Sequence, residues 1–242
     1  MKRLKSTHKL IATTLSIATT FLCTISPVSA LDKNAAGSYA TRYCGMCSPV
    51  PTWCRESPDG RNPYYSAYTA ADCTDFVSQI LYAGGFAQTS TPSNSSVSGD
   101  GCKSYSSDSW YFRKIIDKNS NLVSVWSSSW TTAHMYRGVN PLWGFHARMK
   151  KIGVRCNEGL TFSQLLNLSG TDRVKEGDII QIADGSVNYG HSIYVINAPT
   201  YRGKNIDIVY CAHDYDAFNK SLKGVYNGNT STKFVVWHTS DY

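Results

Sequence analysis

The sequence predicts an α+β domain in which helices come first and an antiparallel β-sheet follows. Two observations carry this prediction. Apolar residues at helical spacing are concentrated in the first half of the chain, and stretches of strand-forming residues dominate the second half. Because helices and strands do not alternate regularly, an antiparallel sheet is favoured over a parallel one.

The first thirty residues have the pattern of an export signal. A basic start precedes a short, mainly apolar stretch and the small residues Val28-Ser29-Ala30. We expect cleavage after Ala30, which leaves residues 31–242 as one domain, secreted or associated with the cell wall. The apolar stretch is broken by Thr and Ser and falls short of the roughly 20 apolar residues of a membrane span. Phe21 and Leu22 are bulkier than the residues that usually precede a lipid-anchored cysteine, which disfavours such a role for Cys23.

Helices are predicted from periodicity and from their end signals. The first covers about Asn34–Tyr43, where alanine and tyrosine recur at helical spacing. The second starts near Asp72 and ends at Gly84-Gly85, because glycine permits the left-handed conformation that closes a helix. Two more are expected at Thr132–Val139 and, shorter, near Phe162–Leu168. The first of these would place Trp130, Ala133 and Tyr136 on one face.

Strands are predicted where β-branched and aromatic residues cluster between turn residues. The pattern EGDIIQIADGSVNYGHSIYVIN indicates a hairpin, with two strands joined by a turn rich in Gly and Asn. The expected strands are Leu122–Trp126, Gly177–Ile182, Ser192–Asn197, Ile206–Ala212 and Lys233–His238. The tryptophans, Trp110 among them, are expected to fill the core rather than to stack on sugars.

Charge and cysteine content limit the possible functions. Removal of the signal takes away four of the 24 basic residues and none of the 17 acidic ones, which leaves a formal net charge of +3. No basic run is interleaved with aromatics, so no nucleic-acid partner is expected. Seven cysteines remain, and in an oxidising compartment six of them can form three disulfides while one stays a thiol. The insert Cys44–Cys54 also allows a redox pair or part of a zinc site, but disulfides are favoured.

Cys73 is the strongest candidate for chemistry. It heads the apolar face of the second predicted helix, with Asp72 as a cap and Asp75 three residues later. The unpaired amides of a first helical turn favour a thiolate, and pairing with an imidazolium lowers a thiol pKa from about 8.5 to roughly 3 to 4. The alternative is a small apolar residue packed in the core.

His191 is the candidate base because it begins a predicted strand and can face a cleft. Alternation places it on one face with Ile193 and Val195, and a half-buried structural histidine is the alternative. The next strand ends at His213, followed by Asp214 and Asp216. Any of these three could orient His191 through its second ring nitrogen.

These segments resemble a known family. DCTDFVSQILYAGG is similar to the DCTNFVSQ-type signature of the putative amidase domain family, a branch of papain-like cysteine hydrolases related to NlpC-type cell-wall enzymes. Further segments in the family's order are AAGSYATRY, NPYYSAY, SWYF, SSSW, EGDIIQ, GHSIYVI and CAHDYD, so that the resemblance covers Ala35 to about Leu222. It implies a papain-like fold with Cys73 as nucleophile, His191 as general base and His213 at the third polar position. The chain departs from the family at Asp75, where Asn is common, and in the insert Cys44–Cys54.

The chemistry implied is amide hydrolysis through a thioester, with peptidoglycan peptide linkages as the expected substrate class and no metal or cofactor. The Cys73 backbone amide is one expected oxyanion donor, and Tyr64, Tyr65 and Gln79 are candidates for the second, although Gln79 is expected to be structural. The alternative function is a secreted, non-catalytic binding or adhesion module with the same fold. The oligomeric state is not predicted.

Overall fold

The structure, a computed structural model, describes residues 30–44, 62, 73–87, 110, 112–114, 130–132, 145–183, 189–213 and 217–242. Residues 1–29 of the predicted signal segment lie outside these ranges, and so do the predicted strand Leu122–Trp126 and the loop that contains Cys47 and Cys54. In the described part of the chain, no helix is both long and apolar enough to cross a membrane.

Two helices precede the main sheet, as predicted. Helix α1 is Lys33–Tyr43, and Asp32 caps it by accepting a hydrogen bond from the Ala35 amide at 3.0 Å. Helix α2 is Cys73–Ala83. It ends at Gly84-Gly85, where Gly85 has a φ of +96°, so the predicted glycine termination is confirmed.

The remaining elements follow in chain order. The helices are α3 (Phe145–Lys151), α4 (Phe162–Asn167) and α5 (Leu222–Tyr226). The strands are β1 (Phe112–Lys114), β2 (Trp130–Thr132), β3 (Cys156–Leu160), β4 (Ile179–Ala183), β5 (Tyr189–Asn197), β6 (Thr200–Tyr201), β7 (Lys204–Asn205), β8 (Val209–Ala212), β9 (Ala217–Ser221) and β10 (Lys233–Trp237).

Six strands form one antiparallel sheet in the order β3-β10-β4-β5-β8-β9. The predicted hairpin is present as β4 and β5, which pair from Ile179↔Tyr194 to Ile182↔His191. The α+β class with an antiparallel sheet is therefore confirmed.

A hydrophobic core lies on each face of the sheet. Alternation along β5 directs Tyr194 into the core that contains α1, α2 and α3, and it directs Ile193 and Val195 into the core that contains α4 and α5. Trp110 is 1% exposed and belongs to the first core, so the expected packing role of this tryptophan is confirmed. The first core is the one that holds the helix of Cys73.

The prediction of a helix from Thr132 is wrong at its start. Trp130–Thr132 is strand β2, which pairs antiparallel with β1, and residues 133–139 lie outside the described ranges. The supposed helical face headed by Trp130 therefore begins on a strand. The β-branched Thr131 and Thr132 favour the extended conformation there.

Candidate active site

Cys73 is the first residue of α2, and its side chain lies in the protein interior. It is 3% exposed, and every residue from Cys73 to Leu81 is buried. The Cys73 Sγ lies 3.8 Å from the Thr74 Oγ1, within hydrogen-bond distance for sulfur. The helix start that the sequence predicts thus carries a thiol in contact with a hydroxyl group.

The start of α2 packs against β5. The Thr74 Oγ1 and the Ser192 Oγ are 2.9 Å apart, and both side chains are fully buried. Thr74 follows Cys73 in the chain, and Ser192 follows His191. The fold therefore joins the segments of the two principal candidates, although the contacting residues are 118 positions apart in sequence.

His191 is partly buried and lies near the beginning of β5. It pairs with Ile182 of β4, and the register shifts immediately beyond this pair, between Ile182 and Ala183. Regular pleating assigns His191 to the face of Ile193, as expected from the sequence, and a bulge is an irregularity that can re-aim a side chain. The pairing of His191 with the Cys73 thiol stays a prediction.

His213 directly follows β8 and is 1% exposed. Its ring stacks on Phe76 of α2 with centroids 3.7 Å apart and planes 12° apart. Phe76 lies about one turn after Cys73, so His213 covers the same helix near the nucleophile candidate.

The His213 Nε2 is 2.5 Å from the backbone oxygen of Tyr43 at the end of α1. Because a carbonyl oxygen only accepts, this nitrogen carries the hydrogen, which leaves Nδ1 as the acceptor in the neutral ring. Whether His213 orients His191 stays a prediction. Its rivals, Asp214 and Asp216, lie outside the described residues.

A buried polar network ties α1 to α2 beside the candidate site. The Gln79 Nε2 donates to the Asp75 carboxylate at 2.6 Å, and the Tyr39 hydroxyl donates to the Gln79 Oε1 at 2.7 Å. Asn62 donates to the Tyr39 oxygen at 2.9 Å. Gln79 is thus engaged between two helices, which fits the structural role expected for it. Asp72, Tyr64 and Tyr65 lie outside the described residues.

A second cluster of ionisable groups surrounds Glu158. Lys150 forms an ion pair with Glu158 at 2.7 Å, and Cys156 donates a hydrogen bond to the same carboxylate at 3.4 Å. Burial, reinforced by this bond, raises the pKa of Cys156 to about 11. Burial also lowers the pKa of His146, against the opposing effect of Glu158. A raised pKa disfavours the thiolate form that attacks a carbonyl, so the surroundings of Cys156 favour a neutral thiol.

The cysteines differ from the expectation of three disulfides. Cys44, Cys73, Cys156 and Cys211 are thiols, so no bridge is seen among the described cysteines. Cys47, Cys54 and Cys102 lie outside the described residues. The described residues also contain no group of three or more His, Cys, Asp or Glu side chains arranged to hold a metal ion.

A polar groove of about 630 Å³ follows the outer face of α1. Its described lining includes Lys33, Arg42 and Glu176 but neither Cys73 nor His191. The groove therefore lies away from the candidate chemistry.

Sequence reasoning missed three polar residues next to the candidates: Thr74, Ser192 and Gln181. Each is fully buried. The only sequence signal was that polar side chains interrupt otherwise apolar segments, which cannot show that these side chains contact one another.

A family model described as a putative amidase domain matches residues 30–237. No curated protein and no solved structure matches the chain.

Proposed function

We propose, because the chain belongs to the putative amidase domain family, that it is a secreted amide hydrolase that uses Cys73 as its nucleophile and acts on peptidoglycan. Family membership supports the amidase activity. The cysteine mechanism, the substrate and the secretion are inferred from the residues of this chain.

The contact between Thr74 and Ser192 is the observation that carries the proposal. It fixes the first turn of α2 against β5, one residue away from both Cys73 and His191. Cysteine-based acyl transfer needs an imidazole beside the thiol, so the proposal requires the irregularity at the start of β5 to turn His191 from the face of Ile193 toward α2. The predicted papain-like relation is in keeping with it and is part of the proposal.

In the proposed reaction, the Cys73 thiolate attacks the amide carbonyl carbon. His191 then donates a proton to the leaving amine, and the acyl group remains on sulfur as a thioester. Water, deprotonated by His191, attacks the thioester and releases the acid and the free thiolate. The Cys73 backbone amide stabilises the tetrahedral oxygen in both steps. His213, Asp214 or Asp216 orients the imidazole.

Peptidoglycan is the proposed substrate because the chain begins with an export-signal pattern and keeps a mild positive charge after its removal. A small excess of basic residues attracts anionic cell-wall polymers. Two bonds satisfy the proposal: the amide between the sugar lactyl group and the peptide, and an amide within the stem or cross-bridge peptide.

The burial of Cys73 favours a second candidate function. A cysteine that is 3% exposed can serve as a small apolar residue in the core of a non-catalytic binding module. The two functions differ in thiol chemistry. A nucleophile reacts rapidly with iodoacetamide even below pH 7, whereas a core thiol in the folded protein does not.

Digestion of purified cell wall tests the proposal. Wild type is expected to release new fragments, and their masses identify the bond that is cut. Cys73→Ala is expected to abolish every fragment, while Cys156→Ala serves as the matched loss of another thiol and retains activity. Fragments that persist with folded Cys73→Ala would overturn the cysteine mechanism. No fragments from wild type, together with an unreactive Cys73, would refute the hydrolase and favour the non-catalytic module.

A further inference from the structure

A series of buried hydrogen bonds crosses the sheet and ends at the Cys73 sulfur. The Trp237 Nε1 donates to the Gln181 Oε1 at 3.0 Å, and the Gln181 Nε2 donates to the Ser192 Oγ at 3.4 Å. The Ser192 Oγ is 2.9 Å from the Thr74 Oγ1, which is 3.8 Å from the Cys73 Sγ. The series connects β10, β4 and β5 to the first turn of α2.

All five side chains are buried. Cys73 is 3% exposed, and the other four are completely shielded from solvent. Water therefore does not compete for these bonds, and in a medium of low polarity each bond is electrostatically stronger than at the surface. Removal of one hydrogen bond in the series can therefore weaken the bond at the Cys73 sulfur.

The direction of the series is fixed at the tryptophan end. An indole N–H only donates, so Gln181 presents its carbonyl oxygen to Trp237 and its amide nitrogen to Ser192.

The direction is also fixed at the sulfur end once the thiol ionises. A thiolate has no hydrogen and only accepts, so the Thr74 hydroxyl must donate to it. The Thr74 oxygen then accepts from Ser192, and the Ser192 oxygen accepts from Gln181. Each of the four bonds is thus donated toward the sulfur.

We propose that Thr74 is a catalytic residue that donates a hydrogen bond to the Cys73 thiolate, and that Ser192 and Gln181 are positioning residues that hold its hydroxyl in this orientation. This inference rests on the proposed function in that it assigns the thiolate as the reacting species. It adds a neutral donor to the site, separate from the histidines and from the helix amides.

Among the described residues, the charged and titratable groups on the elements around Cys73 are Asp75 on α2, His191 on β5 and His213 after β8. The proposed donors are uncharged, so their replacement leaves the net charge of the site unchanged. Any shift in the titration of Cys73 then reports the hydrogen bond itself.

The test is the pH dependence of iodoacetamide alkylation at Cys73 in the full chain, followed by peptide mapping. Thr74→Val keeps the shape of the side chain and removes the hydroxyl. The midpoint of Cys73 ionisation in this variant is expected to rise by about one pH unit, which corresponds to about 1.4 kcal/mol, because the thiolate loses a hydrogen bond that stabilises its charge. Thr74→Ser keeps the hydroxyl and is expected to restore the wild-type midpoint.

Two further variants make the outcome decisive. Thr239→Val removes another buried hydroxyl hydrogen bond, to the Gly177 carbonyl, and is expected to leave the midpoint of Cys73 unchanged. Ser192→Ala removes the group that orients the Thr74 hydroxyl and is expected to raise the midpoint of Cys73 by a smaller amount. This variant provides the test of the hydrogen bond if Thr74→Val does not fold.

The inference is overturned if folded Thr74→Val, or Ser192→Ala in its place, titrates like wild type. It is upheld if the midpoint rises as described and Thr239→Val does not shift it. A wild-type midpoint near 8.5, without hydrolysis of cell wall, would instead refute the proposed function while leaving the hydrogen-bond test valid. The two failures are therefore distinguishable.

Discussion

The carboxylate of Asp75 lies two residues after the proposed nucleophile and disfavours its ionisation. Asp75 is 2% exposed and accepts a hydrogen bond from Gln79. Since the resembling family commonly has Asn at this position, Asp75→Asn is the natural perturbation. It removes the negative charge and keeps an oxygen that can accept from Gln79.

The magnitude follows from helix geometry. Two residues rise about 3 Å along a helix and project to nearly opposite sides, which puts the two charged groups roughly 9 Å apart. With an effective dielectric constant of about 20, the repulsion is about 1.8 kcal/mol, equivalent to roughly 1.3 pKa units. Because a nearby negative charge raises the pKa of a thiol, its removal must lower that pKa.

The assay is alkylation of Cys73 as a function of pH in wild type and Asp75→Asn, with urea unfolding to confirm that both fold. We expect the midpoint of the variant to fall by about one unit. Asp172→Asn removes a carboxylate outside α2 and β5 and is the control for net charge. Identical titration midpoints of Cys73 in wild type and Asp75→Asn would refute the reasoning, because the Asp75 side chain would then have no electrostatic effect on the thiol.

Two other predictions concern the cluster around Glu158. Because its pKa is raised to about 11, Cys156 should be alkylated at pH 7.5 a few hundredfold more slowly than an ordinary thiol. Glu158→Gln removes the carboxylate that contributes to the raised pKa and should speed the alkylation of Cys156. Equal alkylation rates of Cys156 in native and unfolded protein would contradict the raised pKa. Burial lowers the pKa of His146, so the unfolded chain takes up a proton that the folded state resists, and stability falls as the pH drops below about 6.5. His146→Gln should reduce the difference in urea unfolding free energy between pH 7 and 5.5, and an unchanged difference would assign the acid sensitivity elsewhere.

Local signals were enough to predict the elements whose ends are marked in the sequence. The start of α1 and the glycine end of α2 depend on nearby residues, and so does the hairpin of β4 and β5. Strand β8 was predicted to begin at Ile206 but begins at Val209. Here the Asp207 carboxylate accepts from the Ile208 amide and the Ser221 hydroxyl, and such local bonds compete with strand pairing.

Elements that depend on distant partners were predicted less well. Strand β2 is stabilised by pairing with β1, which the helical spacing of Trp130, Ala133 and Tyr136 did not reveal. Strand β3 contains Gly159 with a φ of +68° and pairs with β10 through a register shift, so it lacks the regular alternation that marks a strand. Helix α3 had a visible signal in Phe145 and Met149, four residues apart and both buried, that the sequence interpretation did not use.

In the candidate site, too, the features set by local sequence were predicted and those set by distant contacts were not. Cys73 was identifiable because its place at a helix start is a local property. The series of donors behind it was not, because it joins residues on one helix and three strands that only the folded chain brings together.

The polar groups behind Cys73 bear on the choice between a nucleophile and a core thiol. A buried hydroxyl or amide is unfavourable unless it is hydrogen-bonded, and apolar side chains at Thr74, Ser192 and Gln181 would pack there without that requirement. An uncharged thiol in a core needs no donor. An ionised sulfur shielded from water needs donors supplied by the protein, because burial otherwise disfavours its charge. The series of donors that ends at Cys73 is the feature of the described residues that favours the proposed thiolate over a thiol that only packs.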